Sequence, residues 1–199
     1  KELFKHYNLR ALSNHPIKVD GITQYKMGDL SDENFLTDSL KGCDILLHAA
    51  AITNAFDPQL KNVNILYTSN LVNAAKKAKI KKFIYVSSEN VTYGCKDPYT
   101  WSKGEAERII IKVFPEALII RPSIIFGRGD KRYLSIFTKA IKTWPIIPVF
   151  SAKDSSLQPV YIDDLVRIIL NGLRKNKKGI YTVVGAEPLS FEKIGKIIQ

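Results

Sequence analysis

Cysteine is almost absent: Cys43 and Cys95 are the only two in 199 residues. Their separation suits neither a metal site nor a redox pair, and a reduced, cytosolic setting is the expectation. Long apolar runs are lacking as well. The best stretch, "ALIIRPSIIF", is interrupted by Arg121 and Pro122. It falls short of the roughly 18 apolar residues that mark a membrane helix, so no membrane partner is expected. Only three histidines occur, His6, His15 and His48, with no pair at ligand spacing, which argues against a metal site. Zinc-finger spacing, an aromatic-rich RNP-type motif, repeats and low-complexity tracts are all missing. Acidic residues are scarce, 19 against 30 Lys and Arg, for a formal net charge of +11. Such an excess can attract nucleotides, nucleic acid or anionic membrane. Its densest cluster, "KKAKIKK" from Lys76 to Lys82, ends a predicted helix, where cations favour the negative end of the dipole. It reads as a solvated helix end, and no nucleic-acid partner is expected.

A chain of this length with 45% hydrophobic residues can bury a core without metal or disulfide staples. Apolar runs alternate with helical periodicity. "NLRALS", "CDILLHAAA", "KKFIYVSS", "ALIIRPS" and "GIYTVVG" read as strands, and "CDILLHAAA" is continuous and apolar, as a strand covered on both faces should be. "NILYTSNLVNAAKKAKI", "DPYTWSKGEAERIIIKVF" and "YIDDLVRIILNGLRK" read as helices. Asp97 is placed to cap the second of these, and Pro98 suits its first turn. Strands alternating with helices, with few hairpin signals, predict an α/β fold with a parallel sheet wrapped by helices. Residues 126–157 and 186–199 look like excursions forming a small C-terminal substrate-binding part. The sheet domain would span residues 1–125 and be rejoined by about 158–185.

"SSENVTYGCKDPYTWSK" holds the chemistry. Tyr99 and Lys103 are one helical turn apart and share a face. An ammonium beside a phenol stabilises the phenolate, and such a Tyr can exchange a proton with a substrate hydroxyl near neutral pH. The strand "KKFIYVSS" would deliver Ser87 and Ser88 to the same place, and open parallel sheets bind ligands beyond the carboxyl ends of their strands.

Nearly the whole chain resembles the extended short-chain dehydrogenase/reductases, the group of nucleotide-sugar epimerases, dehydratases and reductases with a doubly wound Rossmann-type sheet. "YKMGDLSD" resembles the family turn whose Asp contacts adenine. "CDILLHAAA" resembles the strand whose end passes the cofactor, and "NILYTSNLVNAA" the Asn-rich helix, with Tyr67 where Gly is common. "KKFIYVSSENVTYG" resembles the strand and loop with the catalytic Ser or Thr, "YTWSK" the Tyr-x-x-x-Lys, and "IIRPSIIFGRGD" the Arg-Pro turn beside the nicotinamide. "LQPVYIDDLVRII" resembles the segment closing the substrate side.

The resemblance implies hydride transfer with NAD or NADP, with Tyr99 as acid/base, Lys103 lowering its pKa and holding the nicotinamide ribose, and Ser88 bonding the reacting oxygen. It implies cofactor contacts at Asp29, Leu30, Ala49, Ala50, Ala51 and Pro122 beside Tyr99 and Lys103. Counting five residues back from Gly94 lands on Glu89, and Ser88 is six back, so the loop departs from the usual register. Glu89 is a candidate acid/base or substrate-binding group, and Ser88 is preferred for the hydroxyl role. Arg128 is a candidate for a substrate diphosphate, with Lys131, Arg132 and Lys153 in the same segment, and Trp144 reads as packing. The second strand ends at Ser13 and Asn14 where NAD-selective sheets place an acid, which leans towards NADP. The expected activity is an epimerase or reductase on a nucleotide-linked sugar, with a homodimer as the candidate assembly. The loop "SSENV" lacks the Asp-Glu pair of the dehydratases. The rival is a non-catalytic dinucleotide-binding protein, a redox sensor or a subunit of a larger complex.

No glycine precedes Ser13. A dinucleotide-binding sheet has a first strand and Gly-rich turn about 20 residues before that point. "KELFKHYNL" reads as the tail of the helix after such a turn, and a further strand and Gly-rich loop are expected upstream of Lys1.

Overall fold

The computed structural model describes residues 6–16, 22–94, 96–130, 138–139, 143, 156–190 and 193. Four parallel strands form the central sheet in the order β3-β4-β5-β9: β3 Ile45–His48, β4 Lys82–Val86, β5 Leu118–Pro122 and β9 Gly179–Val183. The register aligns His48 with Tyr85, Val86 with Ile120, and Pro122 with Val183. All four carboxyl ends therefore lie along one edge of the sheet. Two more strands, β1 Arg10–Ser13 and β2 Gln24–Met27, pair in parallel as a separate ladder. No ladder joins β1 to β3 among the described residues. Outside the central sheet, β6 Ile125–Phe126 pairs with β8 Val160–Tyr161, and β7 Ser156–Leu157 pairs antiparallel with β10 Leu189–Ser190.

Side chains alternate across a strand, and β4 uses both faces. Phe83 and Tyr85 join the core with Leu36 and Leu40 of α1 (Glu33–Leu40), Leu71, Val72 and Ala75 of α2 (Tyr67–Lys77), and Ala106 and Ile110 of α3 (Pro98–Val113). Ile84 points the other way, into a second core with Leu118, Ile120 and Leu165 and Ile169 of α4 (Ile162–Arg174). Helices thus cover both faces, the doubly wound arrangement. Gly172 lets α4 close on β5: a Cβ there would stand 2.8 Å from Leu118 Cδ2. No helix among the described residues is long and apolar enough to cross a membrane.

Two expectations need correction. β3 is shorter than its apolar run and only partly covered on its second face: Ile45 packs on the second core, whereas Leu47 is 38% exposed. The helix read from "NILYTSNLVNAAKKAKI" is regular only from Tyr67. It is preceded by a π-helical turn at Asn62–Leu66. Segments β2 and α1 were not expected as regular elements. Asp32 caps α1 by accepting from the Asn34 and Phe35 amides, both at 2.9 Å.

Candidate active site

The sheet places its chemistry at the end of β4. The Ser87 amide continues the ladder one residue past the strand, donating to Ile120 O at 2.7 Å. Its hydroxyl is buried without a hydrogen-bond partner among the described residues. Ser88 is extended (φ −148°, ψ 145°) and opens a short 3-10 turn, Glu89–Val91. Ser88 Oγ accepts from the Asn90 amide at 3.4 Å, a long, weak contact that leaves the hydroxyl able to exchange partners. Burial raises the Glu89 carboxyl above its ordinary value. The loop closes at Gly94, where φ is +64°, a conformation glycine adopts without steric cost. α3 then starts as the sequence predicts: Asp97 accepts from the Thr100 amide at 3.0 Å, with Pro98 in the first turn.

α3 brings Lys103 to the end of β4. Its side chain is 2% exposed, its Nζ donates to Val86 O at 2.6 Å, and it stands 4.2 Å over the Tyr85 ring. An ammonium has three N–H donors, and that carbonyl takes one. Burial pushes its pKa down to about 7, while the negative charge of Glu107 pulls it back up. Tyr99 lies one turn earlier on α3, half-buried. Tyr85 is buried, and its phenol is pushed well above 10.0 by desolvation. His48, at the end of β3, stacks on Tyr85 with ring centroids 5.4 Å apart. Its Nε2 is 2.9 Å from Thr68 Oγ1. Burial and then the charge of Lys103 drive His48 down to about 3, so it is a neutral structural group.

Neighbouring loops are clamped onto the same place. Asn64 holds the loop after β3 by donating to Ile52 O and accepting from the Ile52 amide, both at 2.8 Å, and donates to Ser102 Oγ at 2.9 Å. Glu107, 3% exposed, receives Arg121 of β5 in a two-pronged contact, Nε to Oε1 at 2.9 Å and Nη2 to Oε2 at 2.6 Å. Arg121 Nη1 also donates to Thr92 Oγ1 at 3.2 Å.

Ser88, Glu89, Tyr99 and Lys103 are therefore gathered around the end of β4. Pro122 is buried at the end of β5. Ala49, Ala50 and Ala51 follow β3 in irregular backbone, the first two exposed, so small side chains border the strand ends. Asp29 is exposed and accepts from the Ser31 amide at 2.8 Å, which holds its carboxyl below the ordinary value. Leu30 packs on the core. A Cβ on Gly28 would lie 2.6 Å from the Phe35 ring, so the turn sits directly on α1. Arg128 is exposed after β6, and no described hydrogen bond or ion pair joins it to the Tyr99–Lys103 pair. Lys131, Arg132, Trp144 and Lys153 lie outside the described residues.

The sequence reading missed Asn64, Glu107 and the role of Arg121. Glu107 follows Lys103 by four and Tyr99 by eight, so the helical period that paired the first two also reaches it.

Known proteins share this plan. The chain is 31% identical over 160 residues to "NADH dehydrogenase [ubiquinone] 1 alpha subcomplex subunit 9, mitochondrial" of Mus musculus, covering 74% of this chain and 42% of that protein. It is 25% identical over 190 residues to the UDP-glucose 4-epimerase of Vibrio cholerae, covering 82% of this chain and 58% of that one. It is 30% identical over 152 residues to the ceramide reductase of Caulobacter vibrioides, covering 75% and 47%. The chain spans about half the length of these curated relatives. Among solved structures, the UDP-glucose 4-epimerase of Thermotoga maritima with UDP-glucose superposes with a TM-score of 0.82 at 18% identity, over 99% of this chain and 75% of that one. A UDP-glucuronic acid 4-epimerase of Bacillus cereus with a sugar nucleotide and NAD gives 0.83 at 21% identity, over 99% and 76%. These last two likenesses concern the fold. The model of the NAD dependent epimerase/dehydratase family matches residues 5–185, and the chain belongs to that family.

Proposed function

We propose that the chain carries the Tyr–Lys site of an NAD(P)-dependent epimerase or reductase acting on a nucleotide-linked sugar. The observation that carries the proposal is Lys103, a buried ammonium at the strand ends with one carbonyl acceptor. Its remaining N–H groups suit ribose hydroxyls. The small Ala49–Ala51 border and the Ser87 hydroxyl, buried without a partner among the described residues, also suit a polar ligand lying along this edge. In this reading Lys103 and Tyr99 hold the nicotinamide ribose, Pro122 and Ala49–Ala51 line the dinucleotide, and Asp29 with Leu30 borders the adenine. NAD(P), when bound, supplies the hydride donor and acceptor.

Tyr99 acts as the acid/base, moving a proton between its phenol and the substrate hydroxyl, and the Lys103 ammonium favours the phenolate. Ser88 Oγ orients the reacting oxygen, and Glu89 borders the substrate. Arg128 belongs to the substrate side, formed by residues 126–157 and 186–199, where it would meet a diphosphate.

The similarity to a mitochondrial NADH dehydrogenase subunit supports a second reading, a dinucleotide-binding subunit of a complex that performs no turnover of its own. Calorimetric titration of the full-length protein with NAD and NADP tests the shared premise. One of the two should bind, and Lys103→Met should weaken it at least about tenfold, the worth of one charge-assisted hydrogen bond. Equal affinity in the variant would remove Lys103 from the site.

A further inference from the structure

We propose that Glu107 is a positioning residue of the Tyr99–Lys103 site: with Arg121 it fastens the loop after β4 to β5, and its carboxylate is the anion that keeps the buried Lys103 ammonium charged. The placement rests on the assignment of Tyr99 and Lys103 given above, and its test does not depend on turnover.

Three observations converge. Glu107 lies two helical turns from Tyr99 and one from Lys103, so all three share a face of α3. It is almost fully buried, yet a carboxylate is seldom buried without partners that justify it. Its described partner Arg121 reaches onward to Thr92, in the loop that begins with Ser88. A chain of contacts thus runs from α3 through β5 to the loop that carries the candidate hydroxyl.

Each element packed around Lys103 presents its own groups. β4 presents the Tyr85 ring and the Val86 carbonyl. Tyr85 is neutral because its phenol is raised. β3 presents His48 through its stack on Tyr85, neutral because it is driven down to about 3. The loop after β4 holds Glu89, raised by desolvation. β5 holds Arg121, already paired with Glu107. The helix itself supplies Tyr99 and Glu107. Among these, Glu107 is the anion whose charge is felt at Lys103, against the larger effect of burial. Without it the ammonium would release its proton below neutrality and lose its hold on the phenolate.

The test is a ¹³C NMR titration of the Lys103 ε-methylene in the full-length protein without cofactor, the resonance assigned by its loss in Lys103→Arg. In Glu107→Gln the titration midpoint should fall by about 1 pH unit or more, the usual effect of removing a nearby opposite charge. Because that variant strands Arg121, Glu107→Leu with Arg121→Leu is the second arm. Replacing both members of a buried pair by apolar residues is often tolerated, so the fold should recover while the Lys103 midpoint stays low. A midpoint unmoved from the wild-type value in the folded double variant would overturn the proposal and leave Glu107 a packing residue. Loss of turnover with an unmoved midpoint would count against it in the same way.

Discussion

Lys103→Met should stabilise the fold near neutral pH, and the gain should fade as the solution becomes alkaline. In an unfolded chain Lys103 titrates at its ordinary 10.5, and in the folded protein burial brings it down to about 7. Between these values the unfolded chain binds more protons than the folded one, so stability rises with pH across that window. Below about pH 7 both states carry the charge and the full penalty of burying it is present. Above 10.5 both are neutral and it is gone. At about 1.4 kcal/mol per pH unit of separation, the penalty is about 5 kcal/mol at most. The lost hydrogen bond to Val86 O returns about 1 kcal/mol of that, so a net gain of a few kcal/mol is expected at pH 6.5. Urea unfolding of wild type and variant at pH 6.5, 8 and 9.5, both without cofactor, measures it. The difference should shrink steadily with pH. A constant difference, or a variant less stable than wild type at pH 6.5, would refute the burial of a charged Lys103.

Other outcomes follow from the same site. Ser88→Ala should lower kcat more than Glu89→Gln, as steady-state assays would show, because the Ser88 hydroxyl makes a long 3.4 Å contact with the Asn90 amide and can turn to substrate. The reverse order would give Glu89 the chemical role. His48→Gln should flatten the acid limb of stability: His48 titrates at about 3 against an ordinary 6.5, so the wild type loses stability as pH falls through that interval, and acid unfolding followed by circular dichroism would show a lower midpoint pH in the variant. Gly28→Ala should cost about 1–3 kcal/mol in urea unfolding, since its Cβ would overlap the Phe35 ring.

How far these features were legible depends on how local they are. The Asp97 cap, Pro98 and the Tyr99–Lys103 spacing are written in consecutive residues, and α3 forms where they indicate. The parallel sheet wrapped by helices follows from apolar runs alternating with helical periods. α1 escaped because its buried face amounts to Leu36, Ser39 and Leu40, too short a stripe to stand out from the preceding turn. β2 escaped because its alternation, Tyr25 and Met27 between Gln24 and Lys26, lasts only four residues, too few to mark a strand. The π-helical turn before α2 leaves no periodic mark in five residues. The clamps were hidden for another reason. Asn64 meets Ser102 38 positions away, and Glu107 meets Arg121 across 14, so their partners exist only once α3 docks on its neighbouring helix and on the sheet. Coverage of β3 misled for the same reason: an apolar run reports what a strand can bury, and Leu47 depends on what is packed over it.

The most direct test of the central claim is turnover by the full-length protein, with NAD and NADP, against a panel of nucleotide sugars, run beside Tyr99→Phe and followed by product analysis. The site described here predicts conversion of at least one sugar nucleotide and a loss of at least about a hundredfold in the Phe variant, the lower end of what a positioned acid/base contributes, with cofactor affinity unchanged. Equal turnover in Tyr99→Phe would contradict it, and tight cofactor binding with no conversion of any sugar would favour the non-catalytic subunit.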